Sequence, residues 1–284
     1  MLRSCSKSEF QRYSDFIFEL ATDLTKSGYP TYCDGIKTKA EFIERSYKAF
    51  ERNTEAMLLF ELDGTVEGMI HYFFIPEDHY LQTVCFNIST ATEQAIAEFL
   101  AYVSERFKGY DVYFRFPAEN YPAVSFLAGQ GFECIENDYN NTAFLDKIDD
   151  IPEPSGIVRI EKANCKLFES LHHEAEGYWN TERILADLDN WSILVKETGG
   201  CPQGAVYYRA VGAVDGWFEI YGVDLEQRGY DSELFKGLLN AALSDAKRRG
   251  GRFMTFFCDE EYEKAAIGCG FHCVGKNLCY EAHL

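Results

Sequence analysis

The second half of the chain repeats the plan of the first, and this repeat limits the possible folds more than any other feature. "AMLLFELDGTVEGMIHYFF" (56–74) reads as strand, tight turn at Asp63-Gly64, strand. "WSILVKETGGCPQGAVYYRA" (191–210) reads the same way, with its turn at Gly199-Gly200. Each hairpin is followed by another strand and then a helix with apolar residues at helical spacing. These are Ile96, Phe99, Leu100, Val103 and Phe107 in the first half, and Leu234, Phe235, Leu238, Leu239 and Ala242 in the second. Aromatic strands follow, "DVYFRF" (111–116) and "RFMTFF" (252–257). Short helices then run into Gly131-Phe132-Glu133-Cys134 and Gly270-Phe271-His272-Cys273. Upstream, helical segments are expected at 8–26 and 37–52, and again at 164–176 and 181–189. "GIVRIEK" (156–162) opens the second half as a strand, whereas the first has only "MLRSC" in that place. A fold of class α/β (α+β) is therefore expected, as two domains of like plan. The first covers residues 1–148 and the second 149–284. The border falls in "DKIDDIPEPSG" (146–156), where prolines and charges resist both regular structure and burial.

Composition narrows the partners. Among 284 residues, 27 Lys and Arg face 46 Asp and Glu, a formal charge of -19. That field repels nucleic acid and anionic membranes and attracts amines, so neither nucleic acid nor membrane is an expected partner. No apolar run approaches the roughly 18–20 residues of a membrane span, and "MLRSCSKSEFQRYSDF" has no hydrophobic signal core. A cytoplasmic protein is expected, with ten cysteines packed as small reduced hydrophobes. No metal site is expected. Cys269, His272, Cys273 and Cys279 lack paired zinc-site spacing, and His172 and His173, adjacent on one helix, point about 100° apart.

One stretch has the layout of a phosphate cradle: "IYGVDLEQRGYDSELFKGLL" (220–239) runs from strand through a glycine turn into an amphipathic helix. Free N–H groups at such a helix start, with the positive end of its dipole, favour an anion. On the repeat and this stretch together, the sequence resembles the GNAT superfamily of acyl-CoA-dependent N-acyltransferases. The resemblance implies two GNAT-like domains, each a mixed, mostly antiparallel twisted sheet flanked by helices. It also implies acetyl-CoA as acyl donor and a small, cationic amine as acceptor. Arg228 and Gly229 match the family's Arg/Gln-x-x-Gly-x-Gly/Ala turn, and the resemblance gives Val223, Gln227, Arg228, Gly229, Tyr230 and Ser232 to the donor. Asp231 and Glu233 stand where later glycines would fall, and Asp231 or Ser232 also reads as an ordinary helix cap. In the first half the corresponding turn, "NISTATEQAIAEFL" (87–100), has no glycine or basic residue. Thr90 and Glu93 there form a capping-box pattern, so no cofactor site is expected in that half.

The family's Asn-x-x-Ala pattern is met by Asn120 and Ala123 in the first half and departs to Asp259 and Tyr262 in the second. Its acid Tyr is replaced by Leu127 and Ala266. Tyr262, one helical turn before Ala266, is the substitute candidate. Glu219 on the strand before the turn is the candidate base, with Trp217, Phe218 and Ile220 as desolvating neighbours, subject to strand alternation. The competing expectation is a non-catalytic binding or scaffolding protein on the same tandem fold.

Overall fold

A computed structural model describes residues 1–28, 38–152, 154–172, 178–211, 215–226 and 231–284. Along the chain it contains β1 (Leu2–Ser4), α1 (Lys7–Ala21), α2 (Lys39–Tyr47), β2 (Glu55–Leu62), β3 (Thr65–Ile75), β4 (Tyr80–Ile88), α3 (Thr92–Arg106), β5 (Asp111–Pro117), α4 (Tyr121–Gly129) and β6 (Glu133–Phe144). The order then repeats as β7 (Ile157–Arg159), α5 (Lys166–Glu169), α6 (Thr181–Ala186), β8 (Trp191–Thr198), β9 (Cys201–Ala210), β10 (Trp217–Leu225), α7 (Ser232–Arg248), β11 (Phe253–Cys258), α8 (Glu260–Gly268) and β12 (His272–His283). Two compact units result: Met1–Tyr139 with Val274–Leu284, and Asn140–Cys273.

In the first unit the strand order is β1-β2-β3-β4-β5-β12-β6. The β1–β2, β2–β3, β3–β4 and β5–β12 pairs are antiparallel, and β4–β5 is parallel. The Asp63-Gly64 turn closes β2 onto β3 with φ of 50° and 81°, the left-handed pair that a two-residue hairpin needs. Helices cover both faces, which explains why β2 reads "MLLF" rather than alternating. Leu58 and Phe60 join Ile96, Phe99 and Val103 of α3 and Leu127 of α4. Met57 and Leu59 pack on the other face with Phe10 and Ile17 of α1 and Phe42 of α2. Burying each such large side chain contributes about 1.5–3 kcal/mol.

The second unit has the order β6-β11-β10-β9-β8-β7. The pairs β7–β8, β8–β9 and β9–β10 are antiparallel, and β10–β11 is parallel. Gly199 and Gly200 make its hairpin turn at φ 61° and 86°. One face packs Val206, Tyr208, Phe218, Ile220, Met254 and Phe256 under α7 and α8. The other packs Trp191, Ile193, Val195, Ala205 and Tyr207 against Phe168 of α5, Leu171 and Ile184 of α6. Among the described residues no helix is long and apolar enough to cross a membrane.

Candidate functional site

The same opening is built into both units. In the first, β4 and β5 pair from Tyr80–Asp111 to Gln82–Tyr113, and β4 then runs on to Ile88 paired with β3. An extra residue, Val84, interrupts the β3–β4 register and bends the strand away. In the second, β10 and β11 pair from Trp217–Phe253 to Ile220–Phe256 and part beyond. The extra residue there is Tyr221. Each unit thus presents a slot where two parallel strands part.

The first slot is filled by its own chain. The Ser89 N–H donates outward to Glu67 O at 2.8 Å, so alternation turns the Ile88 N–H into the slot, where it donates to Lys26 O at 3.1 Å. Gly28 N–H donates to Asn87 Oδ1 at 3.3 Å. Asn120 Nδ2 donates to Ser27 O at 2.9 Å, while its Oδ1 accepts from the Ala123 N–H as the cap of α4. Ser27 and Asn120 are fully buried. A methyl group on Gly28 would stand 2.5 Å from Phe86 N and 2.8 Å from Phe86 Cβ. Gly28→Ala is therefore expected to lower stability by about 1–3 kcal/mol in urea denaturation, since the strap has no room to give. An unchanged midpoint would place the strap elsewhere.

The expected Thr90–Glu93 capping box does not form. Ala91, at φ 57°, is the residue before α3 and supplies no side-chain cap. This left-handed residue delays the helix start, so Thr90 falls outside capping range. The Thr90 hydroxyl instead donates to Glu67 Oε2 at 3.2 Å, and Ser89 Oγ also donates to that carboxylate. Beside this start lies a cavity of about 590 Å³, lined by residues including Lys26, Ser89, Thr92, Glu119 and Tyr121.

The second slot is different. Glu226 N–H donates to Gln203 O at 2.9 Å, which fixes the alternation: the amides of Val223 and Leu225 face the β11 side, beyond its last pair with β10. Gly222 lets the Tyr207 ring cross the strand, since an added Cβ would lie 2.1 Å from its hydroxyl oxygen. At the start of α7, Asp231 is the cap and accepts from Glu233 N–H at 3.0 Å and Leu234 N–H at 3.1 Å. Ser232 is the first helical residue. Gln227, Arg228, Gly229 and Tyr230 lie outside the described residues.

Glu219 shares a cross-strand row with Arg209 and Thr255. Phe218 and Ile220 point to the opposite face, into the core under α7, so they do not desolvate Glu219 as the sequence pattern allowed. Trp217 is the neighbour on its own face; it is buried and donates Nε1–H to Thr255 Oγ1 at 3.0 Å. Tyr262 packs against the α7–α8 core, its ring stacked on Phe235 at 4.7 Å and 11°. The two candidates thus start from opposite faces of the sheet.

Sequence reasoning missed one polar pair beside this slot. His172 Nδ1 lies 2.8 Å from Asp224 Oδ2, and its Nε2 lies 3.1 Å from Trp179 O. The ring thus ties the Asp224 carboxylate to the Trp179 carbonyl. The ring stacks on Phe168 at 4.8 Å and meets the Tyr207 edge at 5.0 Å. Burial, followed by the Asp224 charge, pushes the Tyr207 hydroxyl pKa well up. His173 lies outside the described residues. No spacing rule links a His to an Asp on a distant strand, so the pair emerges only with the fold.

No protein-family model and no curated protein matches the chain. Solved structures do match, over its whole length. A GCN5-related N-acetyltransferase from Sphaerobacter thermophilus superposes with a TM-score of 0.65 at 15% identity, covering 100% of this chain and 95% of the other. A tandem GNAT protein from the clavulanic acid biosynthesis pathway gives 0.55 at 10%, covering 100% and 98%. A GNAT-family acetyltransferase from Colwellia psychrerythraea gives 0.50 at 11%, covering 99% of each chain. The fold of this chain is the GNAT fold.

Proposed function

We propose that the protein is an acyl-CoA-dependent N-acyltransferase that takes its donor in the second unit, between β10 and β11. One contrast carries this reading. The fold occurs twice, and in the first unit the inner-edge amide of Ile88 is taken by Lys26, whereas the corresponding edge at Val223 and Leu225 continues beyond the last β11 pair. Amides on such an edge suit the amide-rich pantetheine arm and the thioester oxygen. The first unit then serves as support, consistent with the strap across its slot.

The donor's pyrophosphate meets a constraint. Asp231 claims two amides of the α7 start, and a carboxylate about 5 Å from a phosphate costs about 3 kcal/mol at an effective dielectric near 20. The phosphates therefore rest on Gln227, Arg228, Gly229, Tyr230 and Ser232, with the Arg228 guanidinium offsetting Asp231. Glu219 takes a proton from the acceptor ammonium. The amine nitrogen then attacks the thioester carbon, and the strand amides hold the oxyanion. As the C–S bond breaks, Tyr262 gives its proton to the sulfur and its oxygen takes up the second proton of the amine nitrogen, giving an amide and free CoA. A formal charge of -19 favours a cationic acceptor. Cys5, Cys85, Cys269 and Cys279 are buried free thiols, which fits a reducing, cytoplasmic setting.

Isothermal titration with acetyl-CoA tests the reading. One donor per chain is expected, displaced by CoA, with Arg228→Glu weakening binding about a hundredfold. No heat and no CoA competition at millimolar ligand removes it. The Asp231 cap favours the second reading, a non-catalytic scaffold; turnover of any amine that collapses in Glu219→Gln excludes that reading.

A further inference from the structure

Strand register sets three ligand-type side chains together at one end of the β5–β12 pair. Asp111 lies directly opposite His283, and Tyr113 lies opposite Glu281. Opposed residues and their i, i+2 neighbours share a sheet face, so all four project together. His283 Nδ1 is 2.6 Å from Asp111 Oδ1, and its Nε2 is 3.9 Å from Glu281 Oε2. One donor atom from each of Asp111, Glu281 and His283 falls within a span of 4.8 Å. The Tyr113 hydroxyl donates to Glu281 Oε1 at 2.7 Å, orienting that carboxylate from behind and leaving its other oxygen beside the imidazole. The charges acting on His283 come from Asp111, Glu281 and Glu133, all acidic. The Asp111 and Glu281 carboxylates beside one imidazole make a local field that a cation relieves.

We propose that Asp111, Glu281 and His283 bind a divalent transition-metal ion and thereby pin the last residues of β12 against β5. One imidazole and two carboxylates form a nitrogen–oxygen donor set suited to Zn²⁺ and its neighbours in the series. The Tyr113 hydrogen bond is the kind of outer contact that fixes a ligating carboxylate. His283 is 76% exposed and the Asp111 side chain 44%, so water completes the coordination. The ion would tie β12 at the edge where Gly109 N–H already donates to Leu284 O and Leu284 N–H to Tyr110 O, both at 3.0 Å.

Calorimetric titration of metal-stripped, tag-free protein with Zn²⁺ tests this. One ion per chain is expected, with His283→Ala and Asp111→Asn each weakening affinity at least tenfold, and Tyr113→Phe by about tenfold. Hydrogen exchange at Ala282 and Leu284 slows on adding Zn²⁺ in the parent protein and not in His283→Ala. Unchanged affinity in His283→Ala, or no heat at millimolar Zn²⁺, overturns the site. So does a Co²⁺ adduct with thiolate-to-metal absorption, because it places the ion on cysteines. Binding without slowed exchange overturns the pinning.

Discussion

Replacing Glu55 with Gln lowers the unfolding free energy by about 3–5 kcal/mol, read by urea denaturation at pH 7. Glu55 opens β2 with its side chain only 3% exposed. Its Oε2 accepts from Arg45 Nη1 at 2.7 Å and lies 2.8 Å from His71 Nε2, while Oε1 accepts from Arg52 Nη1 at 2.6 Å. This one carboxylate joins α2, the turn after it, β2 and β3. An amide keeps the shape but removes the charge, leaving the mostly buried Arg45 uncompensated. The pH dependence has a definite sign. Burial opposes Glu55 ionisation, but hydrogen bonds from His71 and Arg45 outweigh it and hold the carboxyl well below its ordinary 4.5. Its contribution is therefore present above about pH 4.5 and lost as pH falls below. Burial lowers the His71 pKa from its ordinary 6.5, so the unfolded chain takes up a proton first and stability declines below about pH 6.5 as well. In Glu55→Gln the carboxylate's share of this acid loss disappears. A destabilisation under about 1 kcal/mol would mean that the network behaves as a solvated surface pair.

Glu219→Gln lowers kcat by about 10²–10⁴-fold, the range expected on removal of a general base. The KM for acetyl-CoA stays near its original value, because Glu219 lies on the strand before the edge proposed for the donor. Steady-state kinetics with saturating amine provide the measurement. Glu219 occupies the row of Arg209 and Thr255, on the face away from α7, and precedes the extra residue Tyr221 that bends β10. A loss smaller than tenfold assigns the acceptor's proton to another group.

Local chemistry was readable where it was decisive. Asp63-Gly64 and Gly199-Gly200 announced hairpins because few residues accept those left-handed angles. The helical spacing around Phe99 predicted α3, and the repeat predicted the order of the elements. The Thr90–Glu93 pattern misled because Ala91 turns left-handed and postpones α3, a conformation no propensity assigns to alanine. Strand alternation takes Phe218 and Ile220 to the other face and leaves the buried Trp217 as the neighbour on the Glu219 face. The rest depends on contacts between distant residues: the strap at Lys26–Gly28 on Ile88, His172 on Asp224, the Glu55 network, and Val274–Leu284 in the first unit. Pairwise contacts of that kind leave no periodic trace in a single sequence.

Hydrogen exchange with and without acetyl-CoA is the most direct test of which slot takes the donor. The amides of Val223 and Leu225 are expected to slow on binding, while those of Phe86 and Ile88 keep their rates. Slowing at Phe86 and Ile88 instead, or unchanged rates at Val223 and Leu225 with the donor bound, would contradict the account.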